Sequence, residues 1–450
     1  MISNNSDKLE FFLSAGVEAE RAKNFVFAIR QYKQALKIDN NNLIALVNLG
    51  NCLRHTKNID AAKTCYEAAI KLAPSSIVAA YNLAALQNAS GQAEIALKNY
   101  ESVVIRQQDF WQASYNCGVI CYQLGFLDKA QTYFKHTLKI NPNHEESVVN
   151  LASLLLQISR PNTEEYNQLQ KLLAKKTKSY EIKMLTYRAI NSAMNLKFFD
   201  LQNCLSEIAS SEKQQWDNLN GKDNVFCKGY FTFLNKIFDS DVPKLRDNQT
   251  IYHVGDSHCF TFAPMQKCIN QFRLPIQPRL TIGAKAFHFS TNDKNSFKSI
   301  TMHNLWQIPK KSTIIISFGE IDCRIHEGIL QYSMKNKLET EAVVEQVIDG
   351  YLAFFHKNLQ KLQHRVLFTN VPAPTYDGTY SNIINYKRRD LISRYNQYFS
   401  SSCEKMGFKE LDLYTPTKNK EGFSNFKFHI DSFHIRGNTV KLQSGNNLNF

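Results

Sequence analysis

Small and apolar residues recur with a fixed period over the first part of the chain. Ala28, Ala62, Ala96 and Ala130 are spaced by 34 positions, and an aromatic residue follows each by four: Tyr32, Tyr66, Tyr100 and Phe134. Gly16, Gly50, Ala84, Gly118 and Ala152 keep the same interval in the helix before. Pro74 and Pro142 mark two of the repeat ends, with Asn40 and Gln108 at the equivalent places in the others. Such a unit reads as a pair of helices that cannot bury its apolar face alone. Stacked copies make one continuous core and a curved groove lined by the first helices. The pattern predicts four repeats over residues 9–144, with 145–157 as a cap or a fifth first helix.

A 34-residue period with small residues at helix crossings and an aromatic in the gap resembles the tetratricopeptide repeat. The expected solenoid spans 9–157. A polar column keeps the same register at Asn48, Asn82, Asn116 and Asn150. In tetratricopeptide proteins that position faces the concave groove, and the column resembles the asparagine ladder of O-linked N-acetylglucosamine transferases. A side-chain amide both donates and accepts, so four of them can grip a peptide backbone without reading its side chains. The alternative is that each asparagine braces the neighbouring helix. The expected partner is a protein or peptide in this groove.

Between 158 and 245 the register is lost while helical periodicity persists, at 182–196 and 201–208 for example. This stretch is expected to be a helical connector of degenerate hairpins. From about Gln249 short β-rich runs alternate with helical patterns: 251–254, 276–282, 313–318, 366–370 and 408–413 against 341–362 and 389–406. That alternation predicts an α/β domain over 246–450, with a mostly parallel sheet between helical layers. Functional residues of such sheets lie beyond the C-terminal ends of strands.

Composition changes little: 43% of residues are apolar and 12% aromatic, as in ordinary globular chains. No run approaches the ~20 apolar residues needed to cross a bilayer. Residues 1–8 lack the basic and apolar parts of a secretory signal, so a cytoplasmic location without a membrane span is expected. The ten cysteines form no Cys-x-x-Cys pair and read as reduced thiols. Net charge is +14, densest at Lys175-Lys176-Thr177-Lys178 and Lys387-Arg388-Arg389. No nucleic-acid-binding motif accompanies it, so solvated surface is expected rather than a nucleic-acid partner.

The candidate chemistry sits in two distant segments, Gly255-Asp256-Ser257-His258 and Asp431-Ser432-Phe433-His434. The first follows the strand 251–254, where a strand-to-helix turn exposes a serine. The second supplies a base and its orienting carboxylate three residues apart. Together Ser257, His434 and Asp431 read as a nucleophilic set. The alternative for Ser257 is a helix N-cap. His258 reads either as a pocket contact or as part of the following turn, and His253 as a satisfied core histidine. A metal held by His253, Asp256 and His258 lacks a consistent ligand geometry; neither metal nor cofactor is expected.

These segments, with a later glycine and a Gly-x-x-Asp after a strand, resemble the SGNH branch of the GDSL hydrolases over about 248–441. The resemblance implies a three-layer, flavodoxin-like domain and ester hydrolysis. It makes Ser257 the nucleophile, His434 the base and Asp431 its orienter, with Ser257 and Gly283 amides in the oxyanion hole. Gly319, Glu320, Asp322 and Arg324 fall in the family's third block, which in the family supplies an asparagine; here that block closes on Asp322. Three accounts are open: Asp322 protonated by burial, Asp322 paired with Arg324, or a weakened site. The pair with Arg324 is the preferred expectation, and Glu320 is either a substrate contact or structural. The implied substrate is an O-acyl ester, acetyl on a carbohydrate by resemblance. With a sugar acceptor the same residues would make an O-acyltransferase. The rival reading is a catalytically silent domain in a scaffold protein.

Overall fold

The computed structural model describes residues 4–238, 250–263 and 276–435, and the backbone of 268–269 and 272–273. The chain divides into two compact units, Met1–Ser147 and Val148–Phe450.

Among the described residues the first unit holds eight full helices: α1 (Asn5–Arg21), α2 (Phe25–Ile38), α3 (Leu43–His55), α4 (Ile59–Leu72), α5 (Ile77–Ala89), α6 (Ala93–Arg106), α7 (Trp111–Gln123) and α8 (Leu127–Ile140). Each packs chiefly on its neighbours in sequence, as a stack of hairpins must. The periodic residues explain how the hairpins close. Tyr32, Tyr66, Tyr100 and Phe134 are buried, three of them against the glycine of the preceding helix. A Cβ added at Gly16 would stand 2.5 Å from the Tyr32 ring; at Gly50, 2.6 Å from Tyr66; at Gly118, 2.7 Å from Phe134. The rings occupy the volume that the missing side chains leave. Cys117 and Cys121 lie buried in α7, where burial pushes both thiols up, Cys121 to about 11. The nine described cysteines carry no disulfide.

The second unit begins within α9 (Glu145–Ile158) and continues through α10 (Glu164–Leu173), α11 (Glu181–Met194), α12 (Phe198–Ala209), α13 (Lys213–Asp217) and α14 (Gly221–Ile237). The stretch expected as a connector thus shares a compact unit with the sheet. Among the described residues a short antiparallel pair, Cys268–Ile269 with Phe272–Arg273, stands apart from a main sheet of five strands: β1 (Ile251–Gly255), β2 (Ile276–Leu280), β3 (Thr313–Ser317), β4 (Arg365–Thr369) and β5 (Lys409–Leu411). The five strands of the main sheet pair in parallel, in the order β2-β1-β3-β4-β5.

Alternation along these strands decides what each face meets. Tyr252, Val254, Ile314 and Ile316 point into one apolar cluster with α15 (Ala286–Ser290), α16 (Ser296–Trp306), α17 (Ile329–Asn336), α18 (Thr340–Leu359) and α19 (Asn382–Lys405). Ile251, Ile276, Ile315 and Leu367 point the other way, onto Phe262, Leu413 and Ile435. No described helix is long and apolar enough to cross a membrane.

Gly118→Val is expected to destabilise the repeats by about 1–3 kcal/mol, the usual range for overpacking a filled site. Urea unfolding followed by helical circular dichroism measures it. An unchanged midpoint would mean that the Phe134 ring has room to move aside.

Candidate active site

The C-terminal ends of three parallel strands deliver the candidate residues. β1 runs into a 3-10 turn, Ser257–Phe260, whose N-cap is Asp256: its carboxylate accepts the His258 amide. Asp256 therefore does the capping that Ser257 could have done, and the serine hydroxyl is left for another partner. That partner is His434. Ser257 Oγ lies 2.9 Å from His434 Nε2, across 177 positions of sequence. On its other side His434 Nδ1 lies 2.9 Å from Asp431 Oδ2.

Asp431 is fixed before it meets the ring. Its Oδ1 accepts the Phe433 and His434 amides, each at 2.8 Å, so the loop folds around its own carboxylate. The rest of the loop is pinned by its carbonyls. Lys236 Nζ donates to Ile430 O, Thr375 Oγ1 to Ser432 O, and the Ile430 amide to His434 O. Burial opposes ionisation of Asp431, but the His434 ring and the two amides outweigh it and hold the carboxyl well below the usual range. Burial lowers the His434 pKa, partly offset by Asp431. The result is a neutral imidazole with Nδ1 protonated toward Asp431 and Nε2 free to take the serine proton.

Two rings enclose that imidazole. Phe233 of α14 stacks on one face, with centroids 4.0 Å apart, and His258 on the other at 4.6 Å. His258 is itself paired, Nδ1 to Asp256 Oδ1 at 2.9 Å and Nε2 to Phe433 O at 3.1 Å. Both its nitrogens are taken, which leaves none to ligate a metal. His253 bonds Ser317 Oγ at 2.8 Å, and burial lowers it to about 3. It is a neutral core histidine.

The turn after β3 departs from expectation. Arg324 pairs with Glu320, not with Asp322: Nε donates to Glu320 Oε2 at 2.8 Å. Asp322 lies in the 3-10 turn Ile321–Cys323 and Arg324 is its C-cap, and the two find different partners. Asp322 instead accepts the Ala286 and Phe287 amides at the start of α15, at 2.7 and 3.0 Å. Burial pushes its carboxyl up to about 7 against the pull of those amides. The residue of this turn that faces the candidate site is Ile321. Gly319, at φ +124°, is pressed so close to Tyr395 that a Cβ would lie 2.6 Å from its hydroxyl. Glu320 is buried between two cations, Arg324 and, at 3.6 Å, Arg388. Burial opposes its charge, and Arg324, His258 and Arg388 outweigh that opposition. Arg388, expected in a solvated basic run, is thus a buried partner of the site. Both guanidiniums lie over the Phe433 ring, at 4.4 and 5.2 Å.

Ser257, Gly283, Ile321, Arg324, Asp431 and His434 open on a cleft of about 490 Å³. Val225, Phe226, Tyr230 and Phe233 of α14 form one wall of it, so the supposed connector contributes to the site. Gly283 has φ +69°, a conformation that favours glycine. Among the described residues, no protein group accepts the Ser257 or Gly283 amide. None carries a cluster of three or more His, Cys, Asp or Glu disposed to hold a metal. Sequence reasoning missed Phe233, Arg388 and Phe433. Only Phe433 had a signal, its place inside the Asp-x-x-His segment.

The asparagine column bonds within the repeats. Asn82 donates to Asn51 Oδ1 at 3.0 Å and Asn116 to the Tyr81 hydroxyl at 3.1 Å. Bracing is therefore one role of these amides. Each is also part-exposed. Asn150 falls in the second unit.

Removing the Glu320 charge tests how the site is held. Glu320→Ala leaves two guanidiniums, one fully buried, without their carboxylate, and breaking a buried pair this way costs about 3–5 kcal/mol. Equilibrium unfolding by tryptophan fluorescence reads the loss. A change near zero would mean that the arginines find other partners.

Comparison with known proteins bears on the first unit. Models of the tetratricopeptide repeat match residues 20–86 and 112–144. Similar solved structures include a MamA protein at 18% identity, covering 43% of this chain and 96% of that one, TM-score 0.33. Pseudomonas aeruginosa pilF is 14% identical, covering 46% and 92%, TM-score 0.38. MamA of Desulfovibrio magneticus is 20% identical, covering 38% and 97%, TM-score 0.34. No curated protein matches the sequence. The N-terminal part of the chain carries tetratricopeptide repeats, and repeats of this class point to interaction with another protein.

Proposed function

We propose that the second unit is a serine ester hydrolase of SGNH type, brought to its substrate by a protein partner of the repeats. The observation that carries this reading is the relay from Ser257 through His434 to Asp431, with 2.9 Å at each step. The strand order β2-β1-β3-β4-β5 supports it, being that of flavodoxin-like doubly wound sheets, which bind ligands beyond the C-terminal strand ends.

In this mechanism Ser257 Oγ attacks the ester carbonyl as His434 Nε2 takes its proton. Asp431 holds the Nδ1–H tautomer and stabilises the imidazolium that forms. The tetrahedral oxyanion is met by the Ser257 and Gly283 amides. His434 then returns the proton to the leaving alcohol. Water, activated by the same base, resolves the acyl-serine. Ile321 offers no donor at the oxyanion, and one lost donor typically costs about 10²–10³ in rate. A two-donor hole therefore predicts slow turnover on simple esters. The acyl group is an O-linked one, acetyl on a carbohydrate by resemblance, and a sugar in place of water would make the reaction a transfer.

A fluorophosphonate probe tests the serine. Labelling of the full chain is expected, with loss in both Ser257→Ala and His434→Ala. It should rise with pH as His434 loses its proton, with the midpoint below an ordinary histidine's ~6.5. A folded protein that does not label would overturn the enzyme reading. The silent scaffold would then stand in its place, its function carried by the groove of Asn48, Asn82 and Asn116.

A further inference from the structure

The relay leaves one buried pair unused. His258 follows the serine directly, and its two nitrogens meet two acceptors that have no proton to share. Asp256 Oδ1 already accepts the His258 amide, and Phe433 O is a carbonyl. For both ring contacts to be hydrogen bonds, Nδ1 and Nε2 must each carry a proton. The geometry thus calls for an imidazolium, enclosed with its carboxylate and stacked on the base. Its second bond reaches into the Asp431–His434 loop, where it meets the Phe433 carbonyl.

We propose that His258, held as an imidazolium by Asp256, is a positioning residue for His434: it ties the base loop to the nucleophile turn and keeps a second positive charge off the base. This rests on the reading of Ser257 and His434 as nucleophile and base, although the physical linkage between the two histidines does not require turnover. His258 touches neither the serine hydroxyl nor the candidate substrate space; it acts through the ring it stacks upon.

The groups that face His258 agree in sign. Asp256 comes from its own turn, Glu320 from the turn after β3, and the neutral His253 from β1; His434 comes from the C-terminal loop. Arg324 lies near Asp256 and is already matched by Glu320. Burial opposes the His258 charge, but Asp256, by charge and hydrogen bond, and Glu320 raise its pKa to about 9. Across the stack the same charge lowers the pKa of His434. Below pH ~9 the clamp is therefore charged and the base resists protonation. Above it the clamp loses a proton, and with it either the Asp256 or the Phe433 bond.

The test is histidine titration by NMR on the full chain with ¹³C-labelled histidine, comparing wild type with His258→Gln and Asp256→Asn. Neither substitution removes the nucleophile or the base. In the wild type one histidine should stay charged to about pH 9, absent from the His258→Gln spectrum. In His258→Gln the His434 midpoint should move to higher pH. In Asp256→Asn the His258 midpoint should fall toward the ordinary histidine range. Where an activated ester is hydrolysed, kcat/KM of the wild type should fall again above pH ~9. In His258→Gln the acid limb should move up and that alkaline fall should vanish. An unmoved His434 midpoint in folded His258→Gln, or an unmoved His258 midpoint in folded Asp256→Asn, would overturn the proposal even if the enzyme is active. Shifted midpoints in a protein that hydrolyses nothing would uphold the clamp and sink the esterase. Two independent variants keep the test alive should one of them fail to fold.

Discussion

Burying charge is costly unless each ion has a partner, and the site of this protein is organised by that constraint. Three carboxylates, Asp256, Glu320 and Asp431, stand within one small volume behind Ser257. Asp256 is answered by His258, Glu320 by Arg324 and Arg388, and Asp431 by the His434 ring and two amides. None of these pairs is interchangeable, because each carboxylate already spends an oxygen on backbone or on a second cation. Phe433 ties them together: its carbonyl accepts His258, its amide donates to Asp431, and its ring lies under both guanidiniums. One apolar residue in the Asp431–His434 loop is thus in contact with all three ion systems.

The repeats solve a different problem by a simpler means. Their constraint is volume rather than charge, and the solution is local: a ring enters the space of an absent Cβ at Gly16, Gly50 and Gly118. Because each hairpin depends on its neighbours alone, the pattern is visible as a period in the sequence. The asparagine column shows that a polar register can be just as regular and still serve the scaffold. Asn82 and Asn116 bond the repeats' own side chains, which uses part of each amide's capacity and leaves the remainder for a partner.

This contrast explains what the sequence made legible. The helical period, the parallel strands and the Ser257, Asp431 and His434 segments could be read because each rests on spacing along a short stretch. The Asp322–Arg324 pairing was misread for the same reason: two residues of opposite charge, two positions apart, look like partners, but a 3-10 turn sends them to different neighbours. Glu320 with Arg388 spans 68 positions and joins the β3 turn to α19; nothing in either segment announces the other. Phe233 is less legible still. It is one apolar position among several on α14, and only the fold brings its ring to 4.0 Å from His434.

Buried ion pairs are weak contributors to net stability, since desolvation consumes much of what attraction returns. Replacing such a pair by apolar residues of similar volume is often neutral or even stabilising. The charges around Phe433 therefore make more sense as constraints on geometry than as supports of the fold. A neutral imidazole 2.9 Å from a hydroxyl is useful only if the ring neither rotates nor acquires a proton. Rotation is opposed by Phe233 and His258 on its two faces and by Asp431 at its edge. Protonation is opposed by burial and by the charge of His258. The same contacts that keep His434 neutral also hold it aligned, so the electrostatics and the packing of this site cannot be changed independently.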